Sequence, residues 1–153
     1  MNILTLFLSW AIAASVLPKM PQAPPQTSFP LITLAPDKEA DIVLDLKLPA
    51  GWRLNPEQWF IYRIAETSGQ IKVDMKKRKG YLLKPRFPIK IPFTPGTGSS
   101  AVKLQVAFYY CPKDNLDDCK SFSRYYLFPV TSDPQAKTKK IPLLVDASAP
   151  EKD

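Results

Sequence analysis

Apolar and polar residues alternate along most of the chain beyond its first thirty positions. From Asp41 to Leu48 (DIVLDLKL), Ile42, Leu44, Leu46 and Leu48 point one way, while Asp41, Asp45 and Lys47 point the other. A period of two is the mark of a strand with one buried and one solvated face. The cleanest run is later: Val102, Leu104, Val106, Phe108 and Tyr110 share a face, opposed by Lys103 and Gln105. Phe122 to Val130 follows, apolar on both faces as expected near the middle of a sheet. Ala101–Val130 therefore predicts a long hairpin with a short polar loop.

Further strands are predicted at Leu31–Ala35, Trp59–Ala65, Gln70–Met75, Phe87–Phe93 and Lys139–Val145. Turn residues separate them: Pro36-Asp37, Pro49-Ala50-Gly51, Asn55-Pro56, Ser68-Gly69, Pro95-Gly96 and Ser132-Asp133-Pro134. In FPIKIPF, Pro88 and Pro92 have the same parity, so both missing N–H donors fall on one side. That segment can pair fully with one neighbour only and should be an edge strand. Seven or eight strands without helical periodicity predict an all-β chain, an immunoglobulin-like antiparallel β-sandwich.

The N-terminal segment has another character. Ile3–Leu17 is apolar and uncharged, and its fifteen residues are short of the roughly 20 a membrane-spanning helix needs. Small residues at Ala11, Ala13 and Ala14 form an A-x-A site, with Ala23 as a later one, which suits a secretory signal over residues 1–23. An uncleaved anchor and a buried strand are the alternatives. The expected organisation continues with a proline-rich linker at 24–30, the sandwich at 31–146 and a frayed tail at 147–153. The expected location is the periplasm or the cell exterior.

Composition narrows the chemistry. The 153 residues favour one domain, and the charge of +7 would assist binding to an anionic partner. There is no histidine, which removes Ser–His and Cys–His nucleophile pairs and histidine metal sites. No glycine-rich phosphate loop occurs, and no cofactor is expected. Asp114, Asp117 and Asp118 lack the ligand order and glycine of a calcium loop and read as a solvated acidic turn. Two cysteines alone cannot complete a zinc site, so no metal is expected. Lys76, Lys77, Arg78 and Lys79 read either as a solvated loop tip or as a contact for an anionic surface. If the export signal is real, a nuclear signal is excluded; no nucleic-acid partner is expected, and membrane contact is expected only through the N-terminal segment if it stays uncleaved.

Both cysteines, Cys111 and Cys119, lie at the ends of the hairpin loop. In an oxidising compartment the spacing suits a structural disulfide. The other reading is a redox pair that exchanges electrons with a partner's dithiol, helped by Lys113 and Lys120 and opposed by the three aspartates.

Two segments carry a resemblance. Leu46, Leu48, Pro49, Gly51, Leu54, Asn55 and Pro56, together with Phe108-Tyr109-Tyr110-Cys111 and Cys119, resemble the β-domain that ends NHL-repeat proteins carrying a thioredoxin-like domain. They are more distantly similar to the N-terminal periplasmic domain of the thiol:disulfide interchange protein DsbD. The resemblance implies an immunoglobulin-like domain with its cysteine pair on a hairpin, and a thioredoxin-like partner. The loop here is charged and lacks glycine, unlike the tighter loop of the interchange domain. The expected function is an exported binding or accessory module with a disulfide-closed hairpin and no catalytic residues. The alternative is thiol–disulfide exchange through Cys111 and Cys119.

Overall fold

The computed structural model describes residues 22–148, in which alternation becomes eleven strands. In chain order they are β1 (Gln26–Ser28), β2 (Ile32–Leu34), β3 (Ala40–Lys47), β4 (Trp52–Leu54), β5 (Phe60–Ser68) and β6 (Ile71–Lys72). Then follow β7 (Lys79–Leu82), β8 (Ile89–Pro95), β9 (Ser99–Pro112), β10 (Lys120–Ser132) and β11 (Lys140–Asp146). One sheet has the order β1-β10-β9-β5-β7, with β2 also on β10 and β4 also on β9. The other has the order β11-β3-β8-β6. The inward residues of both meet in one core: Ile42, Leu44, Ile91, Phe93, Leu143 and Val145 from the smaller sheet, and Phe60, Val106, Phe108 and Phe128 among those from the larger. The all-β sandwich read from the sequence is the observed fold.

Its details differ from expectation in four ways. The strands number eleven rather than seven or eight: β1 and β4 are too short to show a period, β7 begins inside the basic run that reads as a loop tip, and the strand expected at Gln70–Met75 is reduced to the two residues of β6. The sheets are mixed rather than wholly antiparallel: β1 and β2 run parallel to β10, and β11 runs parallel to β3. The proline-rich linker is partly a strand. The three side chains of β1 are exposed, so backbone pairing holds it: Tyr125 N–H donates to the Pro25 carbonyl and Phe29 N–H to Leu127, both at 2.9 Å. Phe29 then stacks on Phe128 with ring centres 4.6 Å apart.

The Pro88/Pro92 segment is not the edge strand expected: β8 lies between β3 and β6, and Pro88 precedes the strand, so the shared parity of the two prolines does not act on it. Ile89–Phe93 pairs with β3, and a second neighbour, β6, reaches only Thr94 and Pro95, beyond Pro92. The turn into β6 requires glycine at position 69. Its φ is +67°, and a Cβ there would lie 2.5 Å from the Ser99 carbonyl oxygen.

Among the described residues the core extends from Leu34 to Val145. The signal-peptide reading and the end of the tail lie outside the described residues. Ala147 is tied down, its N–H donating to the Lys47 carbonyl at 2.9 Å. Among the described residues no helix is long and apolar enough to cross a membrane.

Candidate functional site

The two segments that carried the resemblance come together at one end of the sandwich. β9 and β10 pair from Ser99↔Thr131 up to Tyr110↔Lys120, and Cys111 and Cys119 form a disulfide just beyond the last pair. Chain leaving β3 turns at Gly51 (φ +80°) and lays β4 against the tip of β9, with Arg53 opposite Cys111. Backbone bonds fasten this graft: Asn55 N–H donates to the Tyr109 carbonyl and Lys113 N–H to Gly51, both at 2.9 Å.

The two sulfurs occupy different environments. Cys111 is 0% exposed, whereas Cys119 is half-buried. Asn55 Nδ2 lies 3.5 Å from Cys119 Sγ, and the Leu116 carbonyl oxygen lies 2.9 Å from the same sulfur. A disulfide sulfur has no proton, so the second is a close contact and not a hydrogen bond. Asp114, Asp117 and Asp118 all face solvent in the loop. No group of three or more Cys, Asp or Glu converges to hold a metal among the described residues.

A groove of about 710 Å³ opens beside the disulfide. Its origin is a mismatch in length between the sheets. The inward side of β10 is core at Tyr126, Phe128 and Val130, but the opposing sheet stops near Lys47 and Asp146. The same face continues uncovered as Lys120, Phe122 and Arg124, with Trp52 and Tyr110 beside them and Ala147 and Ser148 on the far lip. Aromatic rings form the floor, Trp52 and Tyr110 tilted together at 5.2 Å. Lys120 Nζ lies 5.0 Å over the Trp52 ring, and the Arg124 guanidinium 5.5 Å over Phe122. Neither cation forms an ion pair among the described residues. The groove can therefore take an anionic group against an aromatic floor.

The far lip holds the strongest carboxylate effect. The hydroxyl and backbone N–H of Ser148 both donate to Asp146, and Lys47 pairs with it at 3.2 Å; together they pull its carboxyl down to about 2. Its contribution to folding is complete above the ordinary value of 3.8 and is lost as pH falls through about 2. Ser148→Ala is expected to move the Asp146 titration upward, read from its carboxyl carbon by NMR. An unmoved titration would refute the assignment to Ser148. On the core side, burial pushes the Tyr126 phenol up to about 12, partly opposed by Arg124.

The basic run lies elsewhere, at the β7 edge of the larger sheet, across β9 and β5 from β10. It is not a uniform exposed turn. Lys76 and Lys77 are exposed and capped by Asp74, whose carboxylate accepts from Lys76 N–H and whose carbonyl accepts from Lys77 N–H, both at 2.9 Å. Arg78 is half-buried, its Nε donating to the Ile64 carbonyl at 3.0 Å, and Lys79 already belongs to β7. Pairing with β5 draws in the second half of the run.

The sequence reading missed Trp52 and Arg124, and took Lys120 only as a cation near the cysteines. A signal existed for the two cations: they share parity with Tyr126, Phe128 and Val130, so charge stands on an inward-facing row. Nothing in the sequence placed Trp52 beside them. No protein-family model matches the chain, and no curated protein matches it in sequence.

Proposed function

We propose that the protein is an exported β-sandwich module that holds an acidic segment of a partner protein in the hairpin-end groove. The Cys111–Cys119 disulfide is its structural clamp. The observation that carries this reading is the pair of cations, Lys120 and Arg124, without an ion pair among the described residues and laid on aromatic rings in an open groove. A carboxylate entering there gains charge-assisted hydrogen bonds, while Trp52 and Phe122 pack against its apolar parts. Export is supported by the apolar run Ile3–Leu17 and by a disulfide, which persists in oxidising compartments.

A glutamate-rich peptide titrated into labelled protein should shift the Trp52 indole and the Lys120 and Arg124 amides. Lys120→Ala and Arg124→Ala should each weaken binding about tenfold, the scale of a hydrogen bond to a charged group. A spectrum unmoved by the peptide removes the groove from consideration.

Thiol–disulfide exchange is the second reading, favoured by the half-exposed Cys119 and by the hairpin's resemblance to the interchange domain. A partner thiolate would attack Cys119 Sγ, and the Cys111 thiolate would leave and take up a proton. The partner's second thiol would then release the mixed disulfide and leave the partner oxidised. The obstacle is Cys111, because a thiolate leaving into a fully buried position is poorly solvated and leaves slowly. Redox titration separates the two readings. A potential below about −300 mV without exchange with a reduced thioredoxin-like domain fits the clamp; ready exchange through Cys119 replaces it.

A further inference from the structure

The stretch Asp74–Lys90 holds seven Lys and Arg against one acid, and so six of the chain's seven net positive charges. The remainder of the chain is nearly balanced. The fold places most of this charge along one border. β7 is the outermost strand of the larger sheet, entered through the Met75–Lys77 turn and left through Lys84 and Arg86. Lys76, Lys77, Lys79, Lys84 and Arg86 are exposed, and none forms an ion pair among the described residues.

Charge is only half of the pattern. In β7, Leu82 packs on the core while Lys79 and Tyr81 face out, with Lys79 Nζ 5.8 Å from the Tyr81 ring centre. Leu83 continues the outward row. Phe60 opposes Leu82 in the β5–β7 pair, which brings Trp59 to Leu83, and the two share a shallow depression with Tyr109. Trp59, Met75, Tyr81 and Leu83 are each 42–72% exposed. Four large apolar side chains thus stand in water at the most cationic border of the molecule.

We infer that this border is a docking surface for an anionic phospholipid bilayer. Cations alone would serve any polyanion; the apolar residues among them decide for a bilayer. Lys and Arg meet the phosphates, Trp59 and Tyr81 lie at headgroup level, where amphipathic rings prefer to be, and Leu83 and Met75 reach the acyl boundary. Contact stays shallow, because the free backbone edge of β7 cannot enter hydrocarbon without losing its hydrogen bonds to water. A charge distribution so one-sided also orients the molecule at an anionic plane. The groove beside β10 lies across the sheet from this border, so the inference stands apart from the peptide reading.

The test uses the chain from Gln22 onward, which contains every core residue among the described ones and removes the apolar run as a second membrane contact; a cooperative urea transition checks that it folds. Vesicles of phosphatidylcholine alone are compared with equimolar phosphatidylcholine and phosphatidylglycerol in co-sedimentation. Binding is expected only to the anionic vesicles, falling with added salt. Each near-surface cation strengthens such binding about fivefold, so K76Q/K77Q/K79Q/K84Q/R86Q should weaken it more than about 100-fold. Met75→Ser with Leu83→Ser should weaken vesicle binding about tenfold or more through lost apolar burial, while leaving heparin binding unchanged. Both variants alter exposed side chains, and an unchanged unfolding midpoint checks that each is folded. Failure of the unaltered protein to bind anionic vesicles overturns the inference. So does full vesicle binding by the Met75/Leu83 variant, which would make this border a reader of soluble polyanions.

Discussion

Phe108→Ala is expected to lower the free energy of unfolding by about 3–5 kcal/mol. Phe108 is 2% exposed and is the hub of the aromatic core. Its ring stacks on Phe60 with centres 5.3 Å apart and on Phe122 at 4.7 Å, and tilts against Tyr110 at 5.8 Å. These partners belong to β5, β10 and β9, so the cavity left by truncation would open between three adjacent strands. Strands paired on both sides cannot close inward to fill such a space, which places the loss high in the usual range. A domain of this size has about 5–15 kcal/mol in total, so the variant should unfold at much lower urea. Leu144→Ala is the matched control, because Leu144 is apolar but points outward from β11. Its effect should stay within about 0.5 kcal/mol. Urea titration with an unchanged m-value checks both, and equal midpoints for the two variants would show that the stack is not a central support.

Removing the disulfide comes second. Reduction, or Cys111→Ala with Cys119→Ser, is expected to cost about 2.5 kcal/mol, the loop-closure value for so short a ring. The loss should concentrate at one end of the molecule. Lys113 N–H, bonded to the Gly51 carbonyl, belongs to the released loop and should lose protection from hydrogen exchange. Asn55 N–H, bonded to Tyr109 inside the β4 graft, should keep more of its own. Urea unfolding with and without reductant gives the total, and amide exchange gives the distribution. A change below about 0.5 kcal/mol, the noise of surface substitutions, would mean that β4 and the β9–β10 ladder hold the tip without the sulfur bridge.

How much was legible in the sequence followed from where each strand finds its energy. β3, β8, β9 and β11 bury an alternating apolar face, and that face is written locally. β1 buries nothing and exists through backbone bonds to β10, so no side-chain pattern could announce it. β4 is hidden between the turn signals at Gly51 and Asn55-Pro56. β7 is masked by its own cations, since Lys79 lies among four consecutive basic residues. The site divides in the same way. The cysteine pair was visible because both partners flank one loop. The groove was not, because Trp52 meets Lys120 only after β4 has docked on β9. Lys120 and Arg124 on an inward row were the one readable anomaly, and they mark the place where the opposing sheet ends.

The parallel additions at the two borders set the order of events during synthesis. Gln26 pairs with Tyr125, and Asp41 with Lys140, so both closures join positions about 100 residues apart. At ~5–20 residues per second, the early segments wait ~5–20 s for their partners to leave the ribosome. Contacts of such long range also slow the closing step itself. During that interval the apolar row of β3 lacks its β11 neighbour, and β2 has nothing to lie against. The newborn chain is therefore most vulnerable to aggregation through its first third, until β10 emerges to cover β1 and β2 and β11 to cover β3.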